Sequence, residues 1–403
     1  MQVNVKEFVK ELEFSLRFVE KNSSIPILQN VHLSASVDRL TVCGTDLEIA
    51  GVTSITGQPD GAEIPWATTA PAHMLLKYLK QVKDTTVRVL PTITKSEPYK
   101  VKKPVLDEKG AKIWDATTKE FKETEVEKID ETHRLILTHG KDSEASFDGM
   151  GTASFPEIPI PDKIYGELRG LKLAHQRSSI AVSAEESRFT LNGSLLELNP
   201  DGQSVIVSTD GHRLSYLPID ATALHPCKTI IRKNALYEAS RMNGDSCLFG
   251  MNENFHLFLG PQRSIISRKL TGTFPDYTRV IPKEFWRSIT LKSAELAEVI
   301  QRVSVCADER SQAITFSVEG GKLVVEAKQY DKSAKGAVPI FCSDDMPWKC
   351  GFNFGYCLDF LKLAPETVTL KVPAPEENTG NVKGASEFVT EDQWKYLIMP
   401  LSI

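Results

Sequence analysis

The sequence contains none of the short motifs that identify the common enzyme classes. Its 403 residues include no Gly-x-Ser-x-Gly, no His-Glu-x-x-His, no Gly-x-x-x-x-Gly-Lys-Ser/Thr and no Gly-x-Gly-x-x-Gly. The usual signals of a serine hydrolase, a zinc peptidase, a P-loop enzyme and a dinucleotide-binding enzyme are therefore missing. The eight histidines are spread singly, without the spacing of metal ligands. We expect no metal and no cofactor.

Long apolar runs and paired cysteines are also missing. No stretch approaches the roughly 18 consecutive apolar residues that a membrane span needs, and Met1 to Lys6 lack the basic and apolar regions of a signal peptide. The seven cysteines are scattered and form no Cys-x-x-Cys pair, which is typical of reduced thiols rather than a disulfide framework. These absences predict a soluble, cytoplasmic protein.

What is present is an ordinary globular composition, with 41% apolar and 25% charged residues. A chain of 403 residues should form two to four domains, because one core rarely grows past about 250–300 residues. The net charge of −5 argues against general coating of nucleic acid but permits a local basic face.

One order of elements recurs three times. In the first copy, apolar residues at helical spacing predict a helix over 5–21, then strands at 30–35 and 39–44 and a helix that opens with Pro71. The later copies predict helices near 169–182, 232–242, 293–306 and 353–364, and strands at 189–198, 203–208, 313–318 and 322–327. Each copy is therefore expected to be an α+β domain with mostly antiparallel strands.

The spacing of matching residues supports this repeat. Asp210 and Asp331 are 121 residues apart, and so are Arg232 and Asn353, where the second helices of the later copies begin. A period this long indicates duplicated domains, because each unit is large enough for its own core. The predicted domains are 1–165, 166–287 and 288–403.

The first copy is longer than the second by about 40 residues. The surplus lies at roughly 93–134, where Lys/Arg and Asp/Glu nearly balance and Asp107-Glu108-Lys109-Gly110 signals a turn. We favour a solvated hairpin extension over an arm that binds a partner.

The run from Ser208 to Leu214 is the strongest candidate for a functional site. Asp210, His212 and Arg213 bring a carboxylate, an imidazole and a guanidinium within four positions, as a general acid–base site would. The matching stretches of the other copies, Leu47–Ile49 and Lys332–Ala334, lack the imidazole. The duplicated scaffold therefore does not require a catalytic site here.

Two further features suit binding rather than catalysis. The predicted helices carry Lys and Arg away from their apolar stripes, which permits contact with a phosphate backbone without base reading; an ordinary solvated face is an equal alternative. The apolar C-terminus, Tyr396 to Ile403, is either a terminal strand or the methionine-containing lip of a peptide pocket.

Six motifs occur in order along the chain: Ser24-Ile25-Pro26-Ile27-Leu28-Gln29-Asn30, Thr45-Asp46-Leu47-Glu48, Arg188-Phe189-Thr190-Leu191-Asn192-Gly193, Thr209-Asp210-Gly211-His212-Arg213-Leu214, Phe274-Pro275-Asp276-Tyr277-Thr278-Arg279-Val280 and Met399-Pro400. Together they resemble the bacterial sliding-clamp family, the beta subunits of DNA polymerase III. The resemblance runs through all three repeats and fails only over about 93–134.

The resemblance implies a non-catalytic processivity factor, a head-to-tail homodimer whose six domains close a ring around duplex DNA. Helices would line the hole and sheets would form the rim. The implied partners are double-stranded DNA, the polymerase III alpha subunit, the clamp loader and other proteins that carry a clamp-binding motif.

The resemblance also implies site residues. The partner-peptide pocket would comprise Arg188, Leu191, Thr209, Gly211, His212, Arg213, Leu214, Pro275, Arg279, Val280, Asn353, Tyr356, Leu397, Ile398, Met399, Pro400 and Leu401. The DNA-facing set would comprise Lys10, Lys21, Asn22, Lys77, Lys80, Arg177, Phe189 and Thr190.

The chain departs from the family at both sites. Ser402 stands where some members carry arginine, and Phe189 and Thr190 stand where some carry two tyrosines. Ser402 and the long insertion leave open a clamp-like structural protein with an altered pocket. The proximity of Asp210, His212 and Arg213 leaves open an enzyme that uses these three residues.

Overall fold

A computed structural model describes residues 1–61, 63–104, 114–115, 120–121, 123–128, 131–242, 244–340, 348–376 and 379–402. Its contacts divide the chain into two units. Unit 1 comprises Met1–Pro159 with Gln262–Ile266, and unit 2 comprises Ile160–Pro261 with Ser267–Ile403. Unit 2 thus encloses most of the second and third predicted domains, whose boundaries remain a prediction.

The first copy of the repeat lies in unit 1. Its elements are β1 (Gln2–Asn4), α1 (Val5–Ser15), β2 (Asn30–Ser36), β3 (Arg39–Thr45), β4 (Ile49–Gln58), β5 (Trp66–Pro71), α2 (Ala72–Leu79), β6 (Thr86–Lys95), β7 (Tyr99–Pro104), β8 (Trp114–Asp115), β9 (Glu120–Phe121), β10 (Glu123–Lys128), β11 (Glu131–His139) and β12 (Ser143–Asp148).

The second and third copies account for the rest of the chain. The second has β13 (Ile164–Arg169), α3 (Leu171–Ser179), β14 (Gly193–Leu198), β15 (Val205–Thr209), β16 (Arg213–Pro218), β17 (Ala221–Ala223), β18 (Cys227–Arg232), α4 (Lys233–Ala239), β19 (Ser246–Met251), β20 (Phe255–Leu259) and β21 (Arg263–Arg268). The third has β22 (Arg287–Lys292), α5 (Ser293–Ser304), β23 (Ala313–Glu319), β24 (Lys322–Gln329), β25 (Lys332–Pro339), β26 (Lys349–Asn353), α6 (Phe354–Leu361), β27 (Thr367–Val372), β28 (Ser386–Val389) and β29 (Lys395–Ile398).

Each copy contains the same antiparallel four-stranded arrangement, a three-stranded meander with a fourth strand added beside its first strand. The fourth strand returns to pair with the first, giving the orders β5-β2-β3-β4, β18-β14-β15-β16 and β26-β23-β24-β25, and a helix follows the fourth strand each time. Asp46, Asp210 and Asp331 all lie in the turn between the second and third strands. The repeat predicted from residue spacing is therefore confirmed in three dimensions.

The sheet of unit 2 continues from the second copy into the third. Strand β16 pairs with β29, with Arg213 opposite Ile398 and Leu214 opposite Leu397. The order β18-β14-β15-β16-β29-β28-β27-β22 results, so the C-terminal segment is a strand in the sheet, one of its two predicted states.

Several element ends differ from the sequence predictions. The first helix stops at Ser15 and a 3₁₀ turn, Leu16–Phe18, follows and buries Phe18; the apolar spacing continues across this change, so it could not reveal the end. The strand predicted over 189–198 begins only at Gly193, because a 3₁₀ turn at Phe189–Leu191 precedes it.

The predicted insertion contains a two-stranded extension. Strands β6 and β11 pair as far as Lys95 opposite Glu131, and β7 and β10 pair from Tyr99 opposite Lys128 to Pro104 opposite Glu123. Residues 105–113, 116–119, 122 and 129–130, including the predicted turn at 107–110, lie outside the described residues.

Candidate functional site: an apolar cavity beside the C-terminal strand

The turn between β15 and β16 is built by its own side chains. Asp210 Oδ1 accepts hydrogen bonds from the backbone N–H of His212 (2.9 Å) and of Arg213 (3.0 Å). Thr209 Oγ1 donates to the carbonyl of Arg213 at 2.7 Å, and Gly211 takes a left-handed φ of 90°. Such side-chain turns form because a short polar side chain can replace the missing backbone partners.

The guanidinium of Arg213 fixes this turn to the rest of unit 2. It contacts Asp210 Oδ2 at 2.9 Å, Asp359 Oδ2 of α6 at 2.8 Å and the Tyr396 hydroxyl of β29 at 3.1 Å. Its Cζ also lies 4.2 Å from the ring centroid of Tyr356. Burial alone would lower the pKa of Arg213, but Tyr396 and the two carboxylates outweigh it and raise that pKa above its ordinary value.

An apolar cavity of about 160 Å³ opens beside this turn. Leu214 and Leu397, a directly paired couple on β16 and β29, form part of its lining. The complete lining is Leu191, Thr209, Gly211, Arg213, Leu214, Pro275, Asp276, Tyr277, Val280, Ala385, Leu397 and Met399. Val280 and Met399 are 46% and 43% exposed, so apolar surface reaches the mouth, which suits an incoming apolar side chain.

The C-terminal residues hold their place through backbone hydrogen bonds. The N–H of Met399 donates to the carbonyl of His212 at 2.9 Å, and that of Leu401 donates to the carbonyl of Gly351 at 2.8 Å. These bonds keep the exposed Met399 at the rim of the cavity.

Comparison with known proteins gives a consistent result over nearly the whole chain. Family models of the DNA polymerase III beta subunit match residues 1–102 with the N-terminal domain, 168–276 with the central domain and 278–401 with the C-terminal domain. The chain belongs to this family.

Individual relatives agree with the family models. The beta sliding clamp of Caulobacter vibrioides is 25% identical, with 96% of this chain and 95% of the relative covered. That of Pseudomonas putida is 24% identical, with 98% and 97% covered. A solved DNA polymerase III subunit beta from Pseudomonas aeruginosa superposes with a TM-score of 0.80 at 21% identity, over 100% of this chain and 99% of that chain.

Family membership decides between the alternatives of the sequence analysis. DNA polymerase III beta subunits are non-catalytic processivity factors, and nothing in the comparisons supports an enzyme or a purely structural clamp-like protein. The geometry agrees, because Asp210 is committed to holding the turn and Arg213 to its two carboxylates.

Nine of the predicted pocket residues of this clamp line the cavity: Leu191, Thr209, Gly211, Arg213, Leu214, Pro275, Val280, Leu397 and Met399. Arg188 supports the turn from outside, donating to the carbonyl of Asp210 at 2.8 Å. Tyr356 stacks on Arg213, and Asn353 caps α6 by accepting from the N–H of Tyr356 at 3.2 Å.

The remaining predicted pocket residues differ in exposure. His212 and Arg279 are exposed, whereas Pro400 and Leu401 are partly exposed. Ile398 requires a correction: it is fully buried and alternates with Leu397 along β29, so its side chain points to the other face of the sheet. Ile398 cannot contact a ligand in the cavity.

Three lining residues escaped the sequence analysis: Asp276, Tyr277 and Ala385. Asp276 and Tyr277 lie inside the motif Phe274–Val280, between the predicted pocket residues Pro275 and Arg279. Ala385 has no sequence signal, because only the pairing of β28 with β29 brings it level with Met399 at the cavity.

The predicted DNA-facing residues divide into exposed and buried. Lys10, Lys21, Asn22, Lys77 and Phe189 are exposed and Thr190 is partly exposed. Lys80 is exposed but pairs with Glu13 at 2.6 Å.

Arg177 is a second correction. It is 6% exposed, pairs with Asp392 and lies 4.6 Å from the ring centroid of Trp394. A buried, paired guanidinium cannot face DNA. Helical spacing placed it off the apolar stripe of α3, but this side of α3 is covered by the chain around Trp394.

Metal ligands and membrane-spanning helices are two further features to consider in the described part of the chain. Its residues include no group of three or more His, Cys, Asp or Glu that could hold a metal ion. Among the helices of those same residues, none is both long enough and apolar enough to cross a membrane.

Proposed function

We propose that the chain is the sliding clamp of a replicative DNA polymerase. Two copies close a ring around duplex DNA without reading its sequence, and the cavity beside β29 binds short motifs of the polymerase III alpha subunit, the clamp loader and other partners. The cytoplasm, where DNA is replicated in bacteria, is the proposed location. We retain 1–165, 166–287 and 288–403 as the three domains.

The observation that carries this proposal is the apolar cavity assembled from the central and C-terminal thirds of the sequence. Its floor is the cross-strand couple Leu214 and Leu397, and its mouth carries the exposed side chains of Val280 and Met399. An apolar pocket with an adaptable methionine at its rim suits apolar anchor residues from several different peptides.

Free sheet edges support the ring. In unit 2 the third meander strand of one copy, β16, pairs with the last strand of the next, β29. In unit 1 β4 likewise borders β21 at Gln262–Ile266. Among the described residues, β25 and β12 each end a sheet. The third meander strand of the last copy, β25, could therefore pair with the last strand of the first copy, β12, of a second chain. Two such pairings, one at each end, would close a ring of two chains.

The charges on the helices support contact with DNA. Helices α2 and α3 contain no Asp or Glu. The single acid of α4, Glu238, forms an ion pair with Arg241, whose Nη1 lies 3.6 Å from Glu238 Oε1. Helix α5 differs, because Glu298 neutralises Arg302 at 2.9 Å. We therefore propose that α2, α3 and α4 supply most of the phosphate contact, through residues such as Lys77 and Lys172.

A titration tests the pocket. A fluorescent peptide from the clamp-binding end of the polymerase alpha subunit is titrated against the wild type, a variant lacking Met399–Ile403, and Leu397→Asp. We expect saturable binding by the wild type and at least about tenfold weaker binding by both variants, because the floor or the rim is lost. Lys383→Gln, an exposed site with an ion pair to Glu376, serves as the control. Absence of binding by a folded wild type would refute the proposal.

A further inference from the structure

The sheet face that floors the cavity continues into an aromatic and basic surface. Leu214 is paired with Leu397, and two residues along the same strands Tyr216 is paired with Lys395. Side chains alternate between faces along a strand, so Tyr216 and Lys395 share the face of the two leucines, about 7 Å farther along.

The two surfaces are joined by aromatic rings. The centroid of Tyr216 lies 6.0 Å from that of Tyr277, and Tyr277 lines the cavity. Tyr216 also packs against the apolar cluster beneath the cavity. Tyr277 and Tyr216 thus connect the apolar cavity to the surface around Lys395.

Lys395 is the uncompensated charge on this extension. Its Nζ lies 5.5 Å from the ring centroid of Tyr216, and no carboxylate of the described residues lies within ion-pair distance of it. The nearby acid Glu197 is already engaged, because it pairs with Lys228 at 2.6 Å and accepts the Tyr277 hydroxyl at 2.9 Å.

Two further acids that border this face are also occupied. Asp276 holds Arg279 at 2.9 Å and the Thr278 hydroxyl at 2.6 Å. Glu387, opposite Leu397 on β28, is 1% exposed and accepts from Lys371 at 3.3 Å. Lys395 is therefore available to an acidic group from outside the chain.

We infer that Tyr216 and Lys395 form a subsite for an acidic residue of the partner peptide. The inference rests on the proposed function, since it requires a peptide anchored in the cavity. An extended peptide rises about 3.3 Å per residue, so the acidic residue lies two positions from the anchor that contacts Leu214 and Leu397. Tyr216 would pack against the peptide while Lys395 pairs with its carboxylate.

Three versions of the polymerase-derived peptide test this subsite. All keep the apolar anchor; one carries Asp two positions before it, one carries Asp two positions after it, and the third carries Asn at both. At 50 mM NaCl we expect the wild type to prefer one Asp peptide over the Asn peptide by about fivefold, as a partly exposed ion pair allows. The preference should shrink at 500 mM NaCl through screening.

Two variants distinguish a specific contact with Lys395 from a general effect of removing one positive charge. Lys395→Gln should abolish the preference for Asp and leave the affinity for the Asn peptide unchanged, whereas Lys383→Gln should retain the preference. Equal binding of all three peptides to the wild type, or a preference that survives Lys395→Gln, would overturn the subsite while leaving the pocket intact. Absence of binding by every peptide would overturn both.

Discussion

Arg213 lines the cavity, but its main role is to connect three elements of unit 2. Its guanidinium joins the β15–β16 turn to α6 and β29 by two ion pairs and a hydrogen bond. Its side chain is only 13% exposed, so loss of the cation would leave Asp210 with an uncompensated charge in a largely buried place.

Replacing Arg213 with Met is therefore expected to lower the free energy of unfolding by about 3 kcal/mol and to weaken peptide binding strongly. Urea denaturation and peptide titration measure the two effects. Arg279→Met is the matched control: Arg279 is 83% exposed and also paired with an aspartate, so its loss should change stability by less than about 0.5 kcal/mol. Equal effects of the two substitutions would contradict the role given to Arg213.

His256 makes the stability of unit 2 depend on pH. Its ring is fully buried, its Nε2 lies 2.7 Å from the Thr229 hydroxyl, and burial, with Lys269 and Arg232 nearby, lowers its pKa from 6.5 to about 3. Because the pKa of His256 is lower in the folded state, protons bind preferentially to the unfolded chain below pH 6.5. The contribution of the neutral His256 to the free energy of unfolding is therefore complete above pH 6.5 and is lost as the pH falls towards 3.

Between pH 7 and pH 5 this histidine should cost the wild type about 2 kcal/mol of unfolding free energy. A His256→Gln variant lacks this titration, whatever its stability at pH 7. Between pH 7 and pH 5 its free energy of unfolding should therefore fall by about 2 kcal/mol less than that of the wild type. Urea denaturation at both pH values supplies the comparison. Parallel losses in the two proteins would show that His256 does not titrate in this way.

At the scale of elements, the same turn occurs in two domains with different residues at its strained position. In the first copy Asp46 Oδ1 accepts from the N–H of Glu48 (2.9 Å) and of Ile49 (2.7 Å), as Asp210 does in the second. Leu47 then occupies the place of Gly211, with φ at 76°. A left-handed conformation costs a branched side chain roughly 1–2 kcal/mol.

Exchanging the residues should therefore have opposite effects. Leu47→Gly is expected to raise the unfolding free energy by about 0.5–1 kcal/mol, because relief of strain exceeds the entropy cost of glycine. Gly211→Ala should lower it by about 1–2 kcal/mol, since φ is positive and the added Cβ would meet Arg188 Nη1 at 3.2 Å. Thermal unfolding of both variants measures these changes in stability. Destabilisation by Leu47→Gly would contradict the presence of strain at Leu47.

The sequence predicted the repeat well because helices and meanders obey local periodicities. Residue spacing placed Asp210 and Asp331 in equivalent turns, and the recurring order of elements located the six helices of the described residues. Helix ends such as Ser15 were missed, because the apolar spacing continues through the 3₁₀ turn that follows.

The cavity was predicted less completely, because its last members depend on contacts between distant strands. Arg177 looked solvent-facing on its own helix, yet Asp392 and Trp394, more than 200 residues later, cover it. Ile398 was assigned to the cavity with its neighbours, although strand alternation turns it away. Ala385 becomes visible only when β28 is paired with β29.

At the scale of the whole molecule, a closed ring explains how a chain of net charge −5 can work on DNA. Weak contacts from a few exposed lysines, such as Lys10 and Lys77, need not hold the DNA if topology retains it. They need only permit sliding, which sequence-independent phosphate contacts allow. The free edges of β12 and β25 are where two copies would close the ring.

The most direct test of this account is retention on DNA of different topology. The protein is placed on a nicked circular plasmid by the matching clamp loader with ATP, and gel filtration at 150 mM NaCl measures the fraction that elutes with the DNA before and after one restriction cut. The account predicts co-elution with the circle, as a dimer of about 90 kDa, twice the 44.8 kDa chain, and release once the DNA is linear. Equal retention on circular and linear DNA, or a monomer that the loader cannot place on the circle, would contradict it.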